Sequence, residues 1–306
     1  MAWTTRDMPS QAGKLAIVTG ANAGLGYETA LALAAAGAEV IVAARNRSRG
    51  AEAVRRILTQ YPSARARLEL LDLARLASVR DFAVRIADGC EQIDLLINNA
   101  GVMMPPRRQV TTDGFELQFG VNYLAHFALT AQLLAPLRRA PAPRVVNLSS
   151  GAHHSGVIQF DDLQWERRPY RPWPAYSQSK LAMLMFALEL QRRSDAAGWG
   201  LISNAAHPGF ARTELIANGP GAQSIFAALT GVLGPLISQS AADGALPTLF
   251  AATSPEAVGG GYYGPSHRFE MRGPPKRARV ARQARDEPAA ARLWDVSEEL
   301  TGIQFS

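Results

Sequence analysis

Tyr176 and Lys180 stand four residues apart in a stretch, Ala175 to Arg193, whose composition predicts a long helix. Residues at that spacing share a helix face, with Cβ atoms about 5–6 Å apart. A free phenol, with a pKa of about 10, is a poor acid and base at neutral pH. A neighbouring ammonium would stabilise the phenolate and lower that value. The pair reads as proton-transfer apparatus. Ser149 and Ser150 follow the apolar run RVVNL, and Asn122 sits inside a predicted helix where asparagine has poor intrinsic propensity. His153, His154 and His207 invite other chemistry, but the chain has neither a GxSxG elbow nor an HExxH spacing. They read as structural or pocket-lining.

A second constellation lies near the N-terminus. Thr19-Gly20-Ala21-Asn22-Ala23-Gly24-Leu25-Gly26 joins an apolar run to an Ala/Leu-rich segment. Glycine there tolerates positive φ in a tight turn and lets the backbone approach a pyrophosphate. The helix that follows aims its free N–H groups and positive dipole end at such an anion. At the end of the next apolar run stands Ala43-Ala44-Arg45-Asn46, without the carboxylate that would bind a ribose 2′-hydroxyl. Arg45 can pair with a 2′-phosphate through its planar fork, so NADP(H) is expected over NAD(H).

The elements that must position these groups alternate. Strands are predicted at Leu15–Thr19, Glu39–Ala43, Leu68–Leu71, Ile93–Ile97, Arg144–Leu148 and Leu201–Ala206, with a short seventh at Gly261–Tyr263. Helices are predicted at Gly24–Ala36, Ser48–Gln60, Ser78–Ala87, Phe115–Leu137, Ala175–Arg193 and Ala241–Ala252. Alternation of this kind implies a doubly wound α/β domain, with a mostly parallel seven-stranded sheet between two helical layers. No internal repeat or linker divides residues 1–306, so one domain is expected. The irregular parts are 152–174, 211–238 and the extension from about 265.

Bulk properties exclude other classes. The chain of 306 residues is 47% apolar, and no apolar run approaches the roughly 18 residues of a membrane span. Met1 to Gly13 is polar and lacks a secretory signal pattern. A single cysteine, Cys90, excludes an intrachain disulfide and fits a cytoplasmic setting. The net charge of +6 comes almost wholly from arginine. Its densest stretch, Arg268–Arg292, is broken by Gly273, Pro274 and Pro275 and lacks interleaved aromatics. A solvated surface is expected there, not a nucleic-acid site.

Together, the TGxxxGxG turn, Asn98-Asn99-Ala100-Gly101, Ser149-Ser150 and Tyr176-Ser-Gln-Ser-Lys180 resemble the short-chain dehydrogenase/reductase superfamily, in the family's order and over most of the chain. Arg45, VNYLAHFALT, VVNLSSGAHHSG and YSQSKLAM look most like its retinol dehydrogenase-like or protochlorophyllide reductase-like branch. The resemblance implies an NADP(H)-dependent oxidoreductase for lipophilic carbonyl compounds or alcohols. Tyr176 would be the general acid/base, Lys180 would bind the nicotinamide ribose, and Ser150, in preference to Ser149, would hydrogen-bond the substrate oxygen. Asn122 would hold a water of the proton relay. Gly20, Asn22, Gly24, Leu25 and Gly26 would cradle the cofactor. Asn99, Ala100 and Gly101 would line its adenosine side, and Asp72 and Leu73 would meet the adenine. Pro208, Gly209 and Thr213 would hold the nicotinamide end. The segment 152–174, carrying Phe160, Trp165, Tyr170 and Trp173, would suit a lid over an apolar substrate, and 211–238 a mobile cover. Pairing through the two long helices would give a homodimer or homotetramer. The alternatives are a non-catalytic NADP-sensing protein, which would typically lose the Tyr or Lys kept here, and a nucleotide-sugar epimerase or dehydratase, whose relatives show TGxxGxxG spacing.

Overall fold

A computed structural model of the chain describes residues 2–210 and 239–305. Its strands β1 (Leu15–Thr19), β2 (Glu39–Ala44), β3 (Arg65–Leu70), β4 (Leu95–Asn98), β5 (Arg144–Leu148), β6 (Ile202–Ala206), β7 (Tyr262–His267) and β8 (Arg272–Arg277) form one sheet in the order 3-2-1-4-5-6-7-8. Pairing from β3 through β7 is parallel, and β7–β8 is antiparallel. Strands buried on both faces read as near-continuous apolar runs, and β1, β2 and β4 read LAIVT, EVIVAA and LLIN, with polar residues only at their ends. The order reverses between β1 and β4, so the crevice beyond their carboxyl ends is where a doubly wound sheet receives its ligand.

Helices cover both faces. On one side α1 (Gly24–Ala35), α2 (Arg47–Gln60) and α8 (Ala241–Thr253) enclose a core that includes Leu33, Ile57 and Leu249. On the other, α3 (Leu76–Gly89), α5 (Ala125–Gln132), α7 (Pro172–Ala197) and α9 (Glu287–Thr301) enclose Phe82, Phe127, Phe186 and Trp294. Asp286 caps α9 by accepting from the Ala289 N–H at 3.0 Å, and Gly302 ends it at φ +67°.

Three features differ from the sequence pattern. Residues 115–137 are not one regular helix. A short turn α4 (Leu117–Phe119) passes into a π-helix at Gly120–Leu124, then α5, then α6 (Leu134–Arg139). Pro136 cannot donate to the Gln132 carbonyl, which accounts for the break near Leu133. The sheet gains an eighth strand from Arg-Gly-Pro-Pro-Lys-Arg, because an edge strand tolerates prolines that an interior one would reject. The extension beyond 265 is therefore structured, and its helix α9 is anchored by Trp294, 1% exposed. Among the described residues no helix is long and apolar enough to cross a membrane.

Candidate active site

Tyr176 and Lys180 lie in the first turns of α7, which starts at Pro172, three residues earlier than predicted. Proline suits the first turn of a helix, where its missing N–H leaves no bond unmade. Both side chains are buried, at 7% and 5% exposure. Burial pushes the Tyr176 phenol up to about 12, with a hydrogen bond from Ser150 pulling the other way. Burial also lowers the Lys180 ammonium to about 8. Its Nζ donates to the Leu148 carbonyl at 2.9 Å and lies 5.8 Å from the centre of the Tyr176 ring. The ammonium is thus tied to the end of β5, near the phenol ring.

The two serines after β5 divide their roles. Ser149 donates its hydroxyl to the Lys180 carbonyl at 2.7 Å and is 3% exposed. Ser150 faces the Tyr176 hydroxyl and is half-buried. Of the pair, Ser150 is the one hydrogen-bonded to the Tyr176 hydroxyl. His153 steadies this turn. Its Nδ1 donates to the Ser150 carbonyl at 2.7 Å, its Nε2 accepts from the Ala281 N–H at 3.3 Å, and burial lowers its pKa to about 4. His207 is buried with its Nε2 3.4 Å from Glu270, and His154 is exposed.

The glycine turn is built to admit a ligand's phosphates. Gly20 (φ +67°) and Gly24 (φ +54°) occupy the left-handed region. A Cβ on Gly26 would sit 2.5 Å from Asn99 Nδ2 and 2.6 Å from the Gly20 carbonyl, so the turn closes only around glycine. Ala23 caps α1 without a side-chain hydrogen bond, leaving the first-turn N–H groups to an anion. Asn22, Gly24 and Leu25 are half-buried along this rim. These residues fit a dinucleotide pyrophosphate.

Beside the turn, Thr19 Oγ1 accepts the N–H groups of Asn99 and Ala100, each at 2.9 Å, and Asn99 Nδ2 donates to the Thr19 carbonyl at 2.7 Å. The β1 and β4 ends are thereby locked together. Gly101 comes next, where a Cβ would lie 3.1 Å from Asn122 Oδ1 and 3.6 Å from Lys180 Nζ. Asn122 itself, fully buried in the π-helix, takes the Val102 N–H on Oδ1 at 2.7 Å. Its Nδ2 donates to the Val102 carbonyl at 3.0 Å and to Ser179 Oγ at 2.9 Å. The structure thus brings Ser150, Tyr176, Lys180, Asn122 and the glycine turn to one end of the sheet.

The outer residues are less concentrated. Arg45 is exposed directly after β2, and Asp72 is half-buried with Oδ1 accepting from the Ala74 N–H at 3.0 Å, next to buried Leu73. Pro208 and Gly209 follow β6. Gly209 takes φ +63°, and a Cβ there would meet the Met271 carbonyl at 2.3 Å. Thr213 and the segment 211–238 lie outside the described residues. Of the aromatics in the segment expected to form a lid, two fold inward. Trp165 is buried, and the Tyr170 hydroxyl reaches Glu116 at 3.1 Å and Gln118 at 2.8 Å. Trp173 alone stands out at 46% exposure, its ring 6.1 Å from that of Tyr176.

Two residues of this network carry little sign of their role in the sequence. Thr19 was legible as the first letter of the turn but not as its hydrogen-bond hub. His126 falls four residues after Asn122, a spacing that puts both on one helix face, yet VNYLAHFALT reads as ordinary core.

The short chain dehydrogenase family model matches residues 14–220. The chain is a short-chain dehydrogenase. It belongs to the retinol dehydrogenase-like branch. Retinol dehydrogenase 13 of Homo sapiens is 43% identical over 97% of this chain and 88% of its own length. Polyprenol dehydrogenase of Mus musculus is 42% identical over 96% and 86%. A solved structure of an uncharacterized protein from Mycobacterium Paratuberculosis superposes over 100% of both chains with a TM-score of 0.83 at 42% identity. The NADP active-site complex of Pseudomonas aeruginosa RhlG is 25% identical, covering 83% of this chain and 94% of that one, with a TM-score of 0.65. This short-chain dehydrogenase is an oxidoreductase acting on alcohol or carbonyl groups of a small molecule.

Proposed function

We propose that this short-chain dehydrogenase transfers hydride between NADP(H) and the carbonyl or alcohol carbon of a lipophilic small molecule. The observation that carries the reading is the meeting of the Ser150 hydroxyl, the Tyr176 phenol and the Lys180 ammonium at the sheet end that also carries the glycine turn. When bound, the nicotinamide supplies the hydride. Gly20, Asn22, Gly24, Leu25 and Gly26 would hold the pyrophosphate, Asp72 and Leu73 the adenine, Asn99 to Gly101 the adenosine side, and Pro208 and Gly209 the nicotinamide end. Exposed Arg45, in a strand end without a carboxylate, would take a 2′-phosphate, and the RhlG complex with NADP supports that choice.

The residues supply the proton. With a phenol pKa near 12, Tyr176 is protonated at neutral pH and ready for reduction. It donates to the oxygen that becomes an alkoxide as hydride arrives at carbon, and the products are an alcohol and a phenolate. Lys180 opposes the phenolate charge, and Ser150 donates a hydrogen bond to the same substrate oxygen. Alcohol oxidation runs these steps backward, and then requires the phenolate. The lipophilic class rests on Trp173, an exposed apolar wall beside the phenol, and on relatives named for retinol and polyprenol, both long apolar alcohols.

The test is loss of NADPH absorbance against a panel of apolar aldehydes, ketones and quinones, with NADH in parallel. Wild type consumes NADPH with at least one of them. Tyr176→Phe loses turnover by about three orders of magnitude, consistent with removal of a general acid, while NADPH binding persists. Full turnover in that variant overturns the mechanism.

A further inference from the structure

His126 takes no part in the reaction described above, and it lies at 0% exposure between the two halves of the site. A buried imidazole is costly unless both nitrogens are paired. Here they are: Nδ1 lies 3.1 Å from the Asn122 carbonyl oxygen, and Nε2 lies 2.9 Å from Thr19 Oγ1. The inventory of donors and acceptors fixes the protons. A carbonyl only accepts, so Nδ1 carries the hydrogen. Nε2 then only accepts, so the Thr19 hydroxyl donates to it. That hydroxyl already receives the Asn99 and Ala100 N–H groups on its lone pairs. Among the described residues its single hydrogen has one other acceptor in range, the Ile97 carbonyl, at a longer 3.3 Å. The network is saturated only with a neutral imidazole in this tautomer. Burial, aided by the nearby Lys180 charge, holds the pKa at about 3, and the bond to Asn122 only partly opposes this.

Resting on the functional reading above, we propose that His126 is a positioning residue that joins the cofactor-side turn to the catalytic side of the site. Through Nε2 it orients the Thr19 hydroxyl, so that the turn at Asn99–Gly101 closes on β1. Through Nδ1 it takes up the carbonyl of Asn122 in the π-helix, whose side chain meanwhile holds Val102 and Ser179, the neighbour of Lys180. One direction of the Asn122 carbonyl is thereby taken up by His126.

Three substitutions separate the two bonds. In His126→Asn the amide Nδ2 replaces ring Nδ1 and keeps the donor to Asn122. In His126→Gln the longer amide places its oxygen near the former Nε2 and keeps the acceptor for Thr19. His126→Phe fills the volume and removes both. Steady-state kcat, NADPH affinity by fluorescence titration, and Tm are measured on each full-length protein. Because an unmet buried hydrogen-bonding group weakens whatever depends on it, His126→Asn retains kcat within about threefold while NADPH Kd rises about tenfold. His126→Gln shows the reverse split, with Kd near wild type and kcat down about tenfold. His126→Phe loses both. The inference is overturned if His126→Phe keeps wild-type kcat and Kd, or if the Asn and Gln variants lose both in parallel and in step with Tm. Wild-type protein that binds NADPH but turns over no carbonyl defeats the functional reading instead, and the affinity comparison of the Asn and Gln variants then decides the inference.

Discussion

Acid should unfold this protein earlier than its carboxylates alone would dictate, through two buried imidazoles. His126 and His153 have ordinary values of 6.5 and folded values of about 3 and about 4. Once unfolded, both are free to bind protons below pH 6.5; folded, they resist until about 4 and about 3. The unfolded chain therefore gains protons first. Stability from these groups is complete above pH 6.5 and is lost as pH falls toward the folded values. At pH 5 each imidazole costs roughly 2 kcal/mol relative to pH 7.5, together about 4 kcal/mol. Against a total of about 5–15 kcal/mol this is large, and at about 2 °C per kcal/mol for a chain of this size it lowers Tm by about 8 °C. Glu28 and Glu116, whose carboxyls burial raises, act in the opposite direction. The informative quantity is thus the difference between wild type and His126→Asn. Urea unfolding of both proteins at half-unit steps from pH 7.5 to 5 measures it. The variant should shed about half of the combined histidine loss. Identical pH dependence in the two proteins would refute the premise that His126 is held neutral by burial.

Arg45→Asp should shift the ratio of kcat/KM for NADPH over NADH downward by at least about tenfold, the worth of one charge-assisted phosphate contact; an unchanged ratio removes Arg45 from the cofactor site. Gly26→Ala forces a methyl against the Gly20 carbonyl and Asn99. It should weaken NADPH binding about tenfold or more and cost about 1–3 kcal/mol of stability, read by titration and denaturant melts. Trp294→Ala empties the pocket between Phe127, Phe186 and Phe305; denaturant unfolding should register about 3–5 kcal/mol.

The parts most legible in the sequence were those with one dominant physical cause. LAIVT, EVIVA and IDLLI announce strands because burial on both faces favours a near-continuous apolar run. The glycine turn and the Tyr176/Lys180 spacing follow from backbone geometry and helix period. What escaped depends on contacts distant in sequence. Nothing in Arg-Gly-Pro-Pro-Lys-Arg marks a strand, since its pairing with β7 at the sheet edge sets its conformation. The π-helix at Gly120–Leu124 follows from packing: a Cβ on Gly120 would strike Thr111 at 2.6 Å, and Asn122 is held by Val102 and Ser179. Among the aromatics of 152–174, composition does not separate Trp165, folded inward, from Trp173, left open beside Tyr176.

The order in which synthesis delivers the chain gives α9 a further meaning. The glycine turn and first strands emerge early, whereas the tryptophan that seals Phe127 and Phe186 belongs to α9, more than a hundred residues later than Phe186. Until that segment is released, one helical layer stands open to solvent, with aromatic surface bare. A chain in which α9 has not yet docked therefore bares aromatic surface and is prone to aggregate.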